Sequence, residues 1–136
     1  RDYVGACYPA FELIDDRRAD YSTLDAISML TDNIWCGGVV LGPEVRDWQN
    51  IDMTSNPVHL TYNGERTQES NTGAAMGSPI ISLAWLANLA MERGWPMREG
   101  MIVITGSTLA TIPPKPGDHA IYTIEGMGDV EVRISD

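Results

Sequence analysis

The stretch from Ser78 to Gly94, SPIISLAWLANLAMERG, constrains the fold more than any other part of the chain. Ser78 offers a hydroxyl to cap free backbone N–H groups, and Pro79 suits the first helical position, where a missing N–H is no loss. Ile80, Leu83, Ala84, Leu86, Ala87, Ala90 and Met91 then recur at helical intervals and predict one apolar stripe. Arg93 favours the negative end of the helix dipole, Gly94 accepts the left-handed terminating conformation, and Pro96 bars continuation. Such a helix needs an apolar surface to lie on, and the remainder of the sequence supplies mainly strands.

Val58 to Tyr62, VHLTY, alternates apolar and polar residues before Asn63-Gly64, a pair that predicts a tight hairpin because both turn positions need positive φ. HAIYTIE and DVEVRIS alternate on either side of Gly126-Met127-Gly128, as expected of an antiparallel pair with one face on a core. PAFELID (Pro9 to Asp15) predicts a buried strand, and GGVVLG (Gly37 to Gly42) a central one. MIVIT (Met101 to Thr105) predicts a further strand, ahead of a Thr- and Pro-rich loop running through Gly117. In YSTLDAISMLTDN, Ser22 serves as an N-cap with Asp25 three residues on. Leu24, Ile27, Met29 and Leu30 follow at helical intervals and predict a short helix ending near Asp32-Asn33. This is an α+β pattern, neither a βαβ repeat nor a bundle. A chain of 136 residues fits one domain.

Composition narrows the function classes. Hydrophobic residues at 43% and charged residues at 21% place the chain among folding sequences rather than disordered ones. A net charge of -10, with only nine Lys and Arg, argues against a nucleic-acid partner, since phosphate recognition relies on clustered cations. Cys7 and Cys36 lie in no C-x-x-C pair and beside no histidine at ligand spacing, which fits two reduced thiols. There is no apolar stretch near the ~20 residues of a membrane span and no charged-then-apolar start. A cytoplasmic protein without a membrane partner is expected. The first residue is Arg1 rather than Met, as in a piece excised from something longer.

Several positions invite chemistry, each with a plainer alternative. An ionised Glu12 among apolar strand neighbours either finds a cation, a metal or strong donors, or points to water opposite Phe11 and Leu13. Asp15, Asp16, Arg17 and Arg18 form either a paired-charge site or a solvated loop. Asp32-Asn33 either orients a polar ligand or stops the helix by local backbone bonding. Thr105-Gly106-Ser107-Thr108 combines a glycine that admits close approach with hydroxyls and amides suited to a carboxylate, and also fits a plain turn. His59 and His119, isolated in alternating strands, are expected to be structural or surface residues. Nothing matches a Gly-rich phosphate loop, a G-x-S-x-G nucleophile turn or an H-E-x-x-H helix.

Taken in order and spacing, PAFELIDDR, LTDNIWCGGVVLG, GAAMGSPIISLAWLANLA, GMIVITGS and PGDHAIYTIEGMGDVEVRI resemble the 2-hydroxypentadienoate hydratase and 4-oxalocrotonate decarboxylase family of the fumarylacetoacetate-hydrolase superfamily, over its C-terminal half. The resemblance spans nearly the whole chain and implies an α+β fold of mixed, layered sheets with two helices. Residues 1–136 would be a single catalytic-domain segment lacking an N-terminal portion.

Members of that family hold Mg2+ or Mn2+ with three carboxylates, and hard oxygen ligands suit these ions. The resemblance puts one of those ligands on Glu12. The other two belong to an upstream E-x-E pair, and this chain contains no E-x-E. The proton-transfer lysine and acidic residue also lie upstream, so no general acid or base is assigned. Arg17, Asp32, Asn33, Thr105, Gly106 and Ser107 fall at or near substrate-side positions. Two departures stand out: Trp35 occupies a place usually held by a small residue, and Ser78 stands where a histidine usually precedes the helix proline.

The resemblance implies a late step of meta-cleavage aromatic catabolism on a small 2-oxo or 2-hydroxydienoate acid, with the ion acting as a Lewis acid. Hydration of a 2-hydroxy-2,4-dienoate is the favoured reaction. A 4-oxalocrotonate-type decarboxylase or an acylpyruvate C–C hydrolase is the alternative in the same superfamily, and a non-catalytic subunit or binding domain the alternative outside it. A homo-oligomer is implied, with a decarboxylase or hydratase subunit as a further partner.

Overall fold

The computed structural model describes residues 2–135. Among these residues, eight regular elements follow in chain order: β1 (Ala10–Ile14), α1 (Ala26–Thr31), β2 (Cys36–Leu41), β3 (Pro57–Tyr62), β4 (Glu65–Asn71), α2 (Pro79–Glu92), β5 (His119–Ile124) and β6 (Gly128–Arg133). Short 3-10 turns occupy Asn33–Trp35 and Trp48–Asn50. The outcome is the expected α+β architecture with two helices, and its ladders are all antiparallel.

The main sheet has the order β4-β3-β5-β6. Asn63 and Gly64 take φ of 52° and 86°, so the turn joining β3 to β4 is the one their sequence demands. Alternation along β3, β5 and β6 sends Val58, Leu60, Ala120, Tyr122, Ile124 and Val130 to one face, where they meet Trp48, Met53 and Met127 in the core. Trp48 is wholly buried, and its indole N–H donates to the Val4 carbonyl at 3.4 Å. His59 and His119 lie on the strands without entering the core, His59 beside Arg66 and His119 beside Glu131. Cys7 and Cys36 are both free thiols. No helix of the described residues is long and apolar enough to cross a membrane.

β1 and β2 form a separate two-stranded sheet. β1 is therefore not buried, with Glu12, Leu13 and Ile14 all exposed, and β2 is not central. Apolar, β-branched strands look alike in sequence whether a third strand and a second layer cover them or not. The small sheet meets the large one at Gly42, which follows β2 and faces Asp129 and Val130 of β6. A Cβ there would stand 2.8 Å from the Asp129 carbonyl oxygen and 2.9 Å from Pro9 Cγ, so only glycine lets the two sheets approach.

The helices keep their expected places with adjusted ends. Ser78 caps α2 by accepting from the Ile80 N–H, and Gly94 adopts φ of 76° just past its end. Asp25 rather than Ser22 caps α1, accepting from Ser28 N–H at 2.8 Å, while Ser22 is taken up by the Asp20 carboxylate. A carboxylate one residue before the helix outcompetes a more distant hydroxyl for the first free N–H groups. The segment Met101–Thr105, expected as a strand, joins neither sheet. Only Ser82 of α2 is buried, and Ile81, Trp85 and Met91 stand 53%, 57% and 66% exposed.

Candidate functional site

An open cleft of about 1910 Å3 runs between β1, the core face of the main sheet, α2 and the segment from Met97 to Pro114. Ile80, Leu83, Ala87 and Met91 of α2 give it one apolar wall. Glu12, Thr105, Gly106 and Ser107 all line it, so residues far apart in sequence share one cavity. Arg17, Asp32 and Asn33 do not.

Glu12 sits mid-strand opposite Val39, with an exposed side chain that takes part in none of the ion pairs among the described residues. Its neighbour Phe11 packs against the core and tilts against Tyr122, ring centroids 6.1 Å apart. Elsewhere on the lining, Gly106 has φ of 115°, and a Cβ on it would meet the Ala75 Cβ at 2.9 Å. That position is closed to any larger residue, and the Ser107 hydroxyl turns back to the Leu109 carbonyl.

The acidic-basic run is a loop whose charges are used locally. Asp15 accepts from the Arg17 N–H and Asp16 from the Arg18 N–H, both at 3.0 Å, which holds two arginines at positive φ. The Arg17 guanidinium pairs with Asp32, so two expected substrate-side residues do meet, but off the cleft lining and mutually satisfied. Asn33, Ile34 and Trp35 follow with φ of 51°, 49° and 60°. Three left-handed residues in a row, one β-branched, mark a strained turn. Trp35 lies edge-on against Tyr21 with centroids 5.6 Å apart, and Tyr21 donates to Asp16 at 2.7 Å. The Tyr21 bond holds the Asp16 carboxyl below its usual range, helped by the Arg18 N–H. Tyr21 and Asp16, unlike Trp35, line the cleft.

Tyr122 is a further lining residue without a chemical signature in the sequence. It is buried, and burial pushes its hydroxyl up while a 2.8 Å bond to the Thr108 hydroxyl pulls the other way. Its only sequence signal is an inward position in the alternating HAIYTIE run.

Could the cleft hold a divalent ion? No group of three or more His, Cys, Asp or Glu suited to one occurs among the described residues. Glu12 offers one unpaired hard-oxygen donor, which fits a single position of such an ion and leaves the others to groups beyond this set.

The family described as fumarylacetoacetate (FAA) hydrolase C-terminal matches residues 2–135. The chain belongs to this family. Within it, the chain is similar to a 2-hydroxyhexa-2,4-dienoate hydratase of Comamonas testosteroni, 29% identical over 94% of this chain and 48% of that protein. It is also similar to a 4-oxalocrotonate decarboxylase of Pseudomonas putida, 32% identical over 97% of this chain and 48% of that protein. A solved family structure, the 4-oxalocrotonate decarboxylase from Pseudomonas putida G7 complexed with magnesium and adipate, superposes with a TM-score of 0.86 at 31% identity. The match covers 95% of this chain and 49% of that one. The chain thus spans about half the length of the family relatives it matches.

Proposed function

We propose that this chain forms part of a divalent-metal-dependent hydratase that adds water to 2-hydroxy-2,4-dienoates in aromatic catabolism. The observation that carries the proposal is the unpaired Glu12 carboxylate on the wall of the same cleft as Thr105, Gly106 and Ser107. Glu12 would hold Mg2+ or Mn2+ together with carboxylates outside this chain, in keeping with the magnesium named for the similar decarboxylase. When bound, the ion supplies Lewis acidity to a 2-oxo acid.

The chain's own residues bind and orient. Gly106 turns the backbone at φ of 115°, so that the amides of Thr105 to Ser107 and the Thr105 hydroxyl can donate to the substrate carboxylate. The apolar wall of α2 suits the unsaturated carbon chain and sheds water from it. Arg17, Asp32 and Asn33 would act from beside the lining residues Asp15, Asp16 and Tyr21, with the Arg17–Asp32 pair opening to admit the acid. The same reading makes the protein cytoplasmic, with a small-molecule acid as its partner.

A homo-oligomer is also proposed, because the exposed apolar face of α2 calls for a cover. A decarboxylase reading is favoured by the 32% identical relative and the superposed structure. Product analysis separates the two: an unchanged carbon count with water added supports the hydratase, and release of CO2 from a 2-oxo diacid supports the decarboxylase.

The test begins with Mn2+ titration of this chain and of the natural polypeptide that carries it. Binding by the natural polypeptide and not by this chain, followed by dienoate hydration that Glu12→Gln abolishes, is the expected result. Absence of binding in both forms would overturn the metal-dependent reading and favour a non-catalytic binding domain.

A further inference from the structure

The segment from Ile102 to Pro114 lines the cleft, yet among the described residues it makes no backbone–backbone hydrogen bond to either sheet. Side chains hold it instead. Gln68 of β4 binds both polar groups of one peptide residue: its amide oxygen accepts from the Ala110 N–H at 2.8 Å, and its amide nitrogen donates to the Ala110 carbonyl at 3.2 Å. That pairing fixes the orientation of the amide, since the reverse would set donor against donor. It copies one rung of a β-ladder with a side chain in place of a strand.

Register explains why Gln68 is in place. Leu60 of β3 pairs with Gln68 on one side and Tyr122 on the other, so the three form a row across the sheet on its core face. The β3–β4 register shifts immediately past Leu60, and such a bulge re-aims the neighbouring side chains. Tyr122, at the other end of the row, bonds Thr108 at 2.8 Å. Leu109, between the two bonded residues, packs against the core cluster that contains Leu60 and Tyr122. Three consecutive residues are thus docked onto one row, immediately after Thr105-Gly106-Ser107. Gly106 abuts Ala75 on the other side. Gln68 itself does not line the cleft.

We infer that Gln68, through its two bonds to Ala110, is a positioning residue for Thr105-Gly106-Ser107, with Tyr122 as its counterpart across the sheet. The inference rests on the proposal that this segment receives the substrate carboxylate. Gln68 acts through the segment and touches no reacting atom. Its removal should loosen substrate binding far more than it slows the chemical step.

The test compares the natural polypeptide with Gln68→Ala, Gln68→Glu and Tyr122→Phe, reading amide hydrogen exchange over residues 105–111, Mn2+ affinity, and KM and kcat for a 2-hydroxydienoate. Gln68→Ala is expected to speed exchange about tenfold and to raise KM by a similar factor, with kcat and Mn2+ affinity little changed. Gln68→Glu keeps the acceptor and the side-chain size but loses the donor, so an intermediate effect guards against a simple folding defect. Tyr122→Phe should free the Thr108 side in the same way. Unchanged exchange in Gln68→Ala would overturn the tether, and faster exchange with an unchanged KM would overturn its role in binding. If the unaltered protein turns over no dienoate, the functional proposal fails, while the exchange comparison still decides whether Gln68 holds the segment.

Discussion

Asp118 binds the hairpin turn to the approach of β5. Its carboxylate accepts from the Tyr62 hydroxyl at 2.6 Å, the Asn63 amide at 2.9 Å and the Lys115 N–H at 2.7 Å. These bonds, the Tyr62 one foremost, hold its carboxyl below the usual range. A carboxyl depressed in the folded state adds stability that is present above its unfolded pKa, about 3.9, and is lost as the pH falls through the lower folded value. Asp118→Asn should therefore lower Tm at neutral pH and flatten the acid limb of the Tm–pH curve below about pH 4. Ile34 supplies a second prediction: a β-branched residue at φ of 49° is strained, and its side chain is 52% exposed. Ile34→Gly should raise stability by about 1 kcal/mol in a urea titration, once the entropy of glycine offsets part of the relief. A loss instead would mean that the Ile34 side chain packs on a surface outside this chain. At this scale the sequence was partly legible. Glu12 stood out as a charge among apolar neighbours, whereas Gln68 had no signal, because its partner lies 42 residues away and is a backbone group.

Elements whose signals are local are legible in the sequence. Ser78, Pro79 and Gly94 bound α2, and Asn63-Gly64 sets its turn, because each acts on a neighbour within a few residues. Strand environment was not legible in the same way. β1 and Met101–Thr105 carry the residues of buried strands, but whether a partner lies alongside is decided by distant parts of the chain. Gly42→Ala forces a Cβ into the Asp129 carbonyl and Pro9, and is expected to cost about 1–3 kcal/mol, measured by thermal or urea unfolding. It should also move Glu12 relative to the main sheet, since β1 is carried by β2.

The whole chain exposes 9419 Å2, against about 7000 Å2 for a compact monomer of its mass. Ile81, Trp85 and Met91 of α2, with Trp95, Met101 and Ile102 beyond it, are among the exposed large hydrophobic residues. The difference is of the order buried by an obligate interface, about 2000 Å2 or more. The chain alone is thus expected to sediment above its 14.9 kDa monomer mass and to shield Trp85 and Trp95 from acrylamide quenching. A monomer with both indoles fully quenchable would show that this face needs no cover. The cleft wall from Ile102 to Pro114 has a different consequence. Because, among the described residues, side chains alone fasten it to the sheets, its length and composition can drift between descendants of one gene without unpicking a ladder. A lineage can thereby try new cargoes in the cleft while inheriting the scaffold intact.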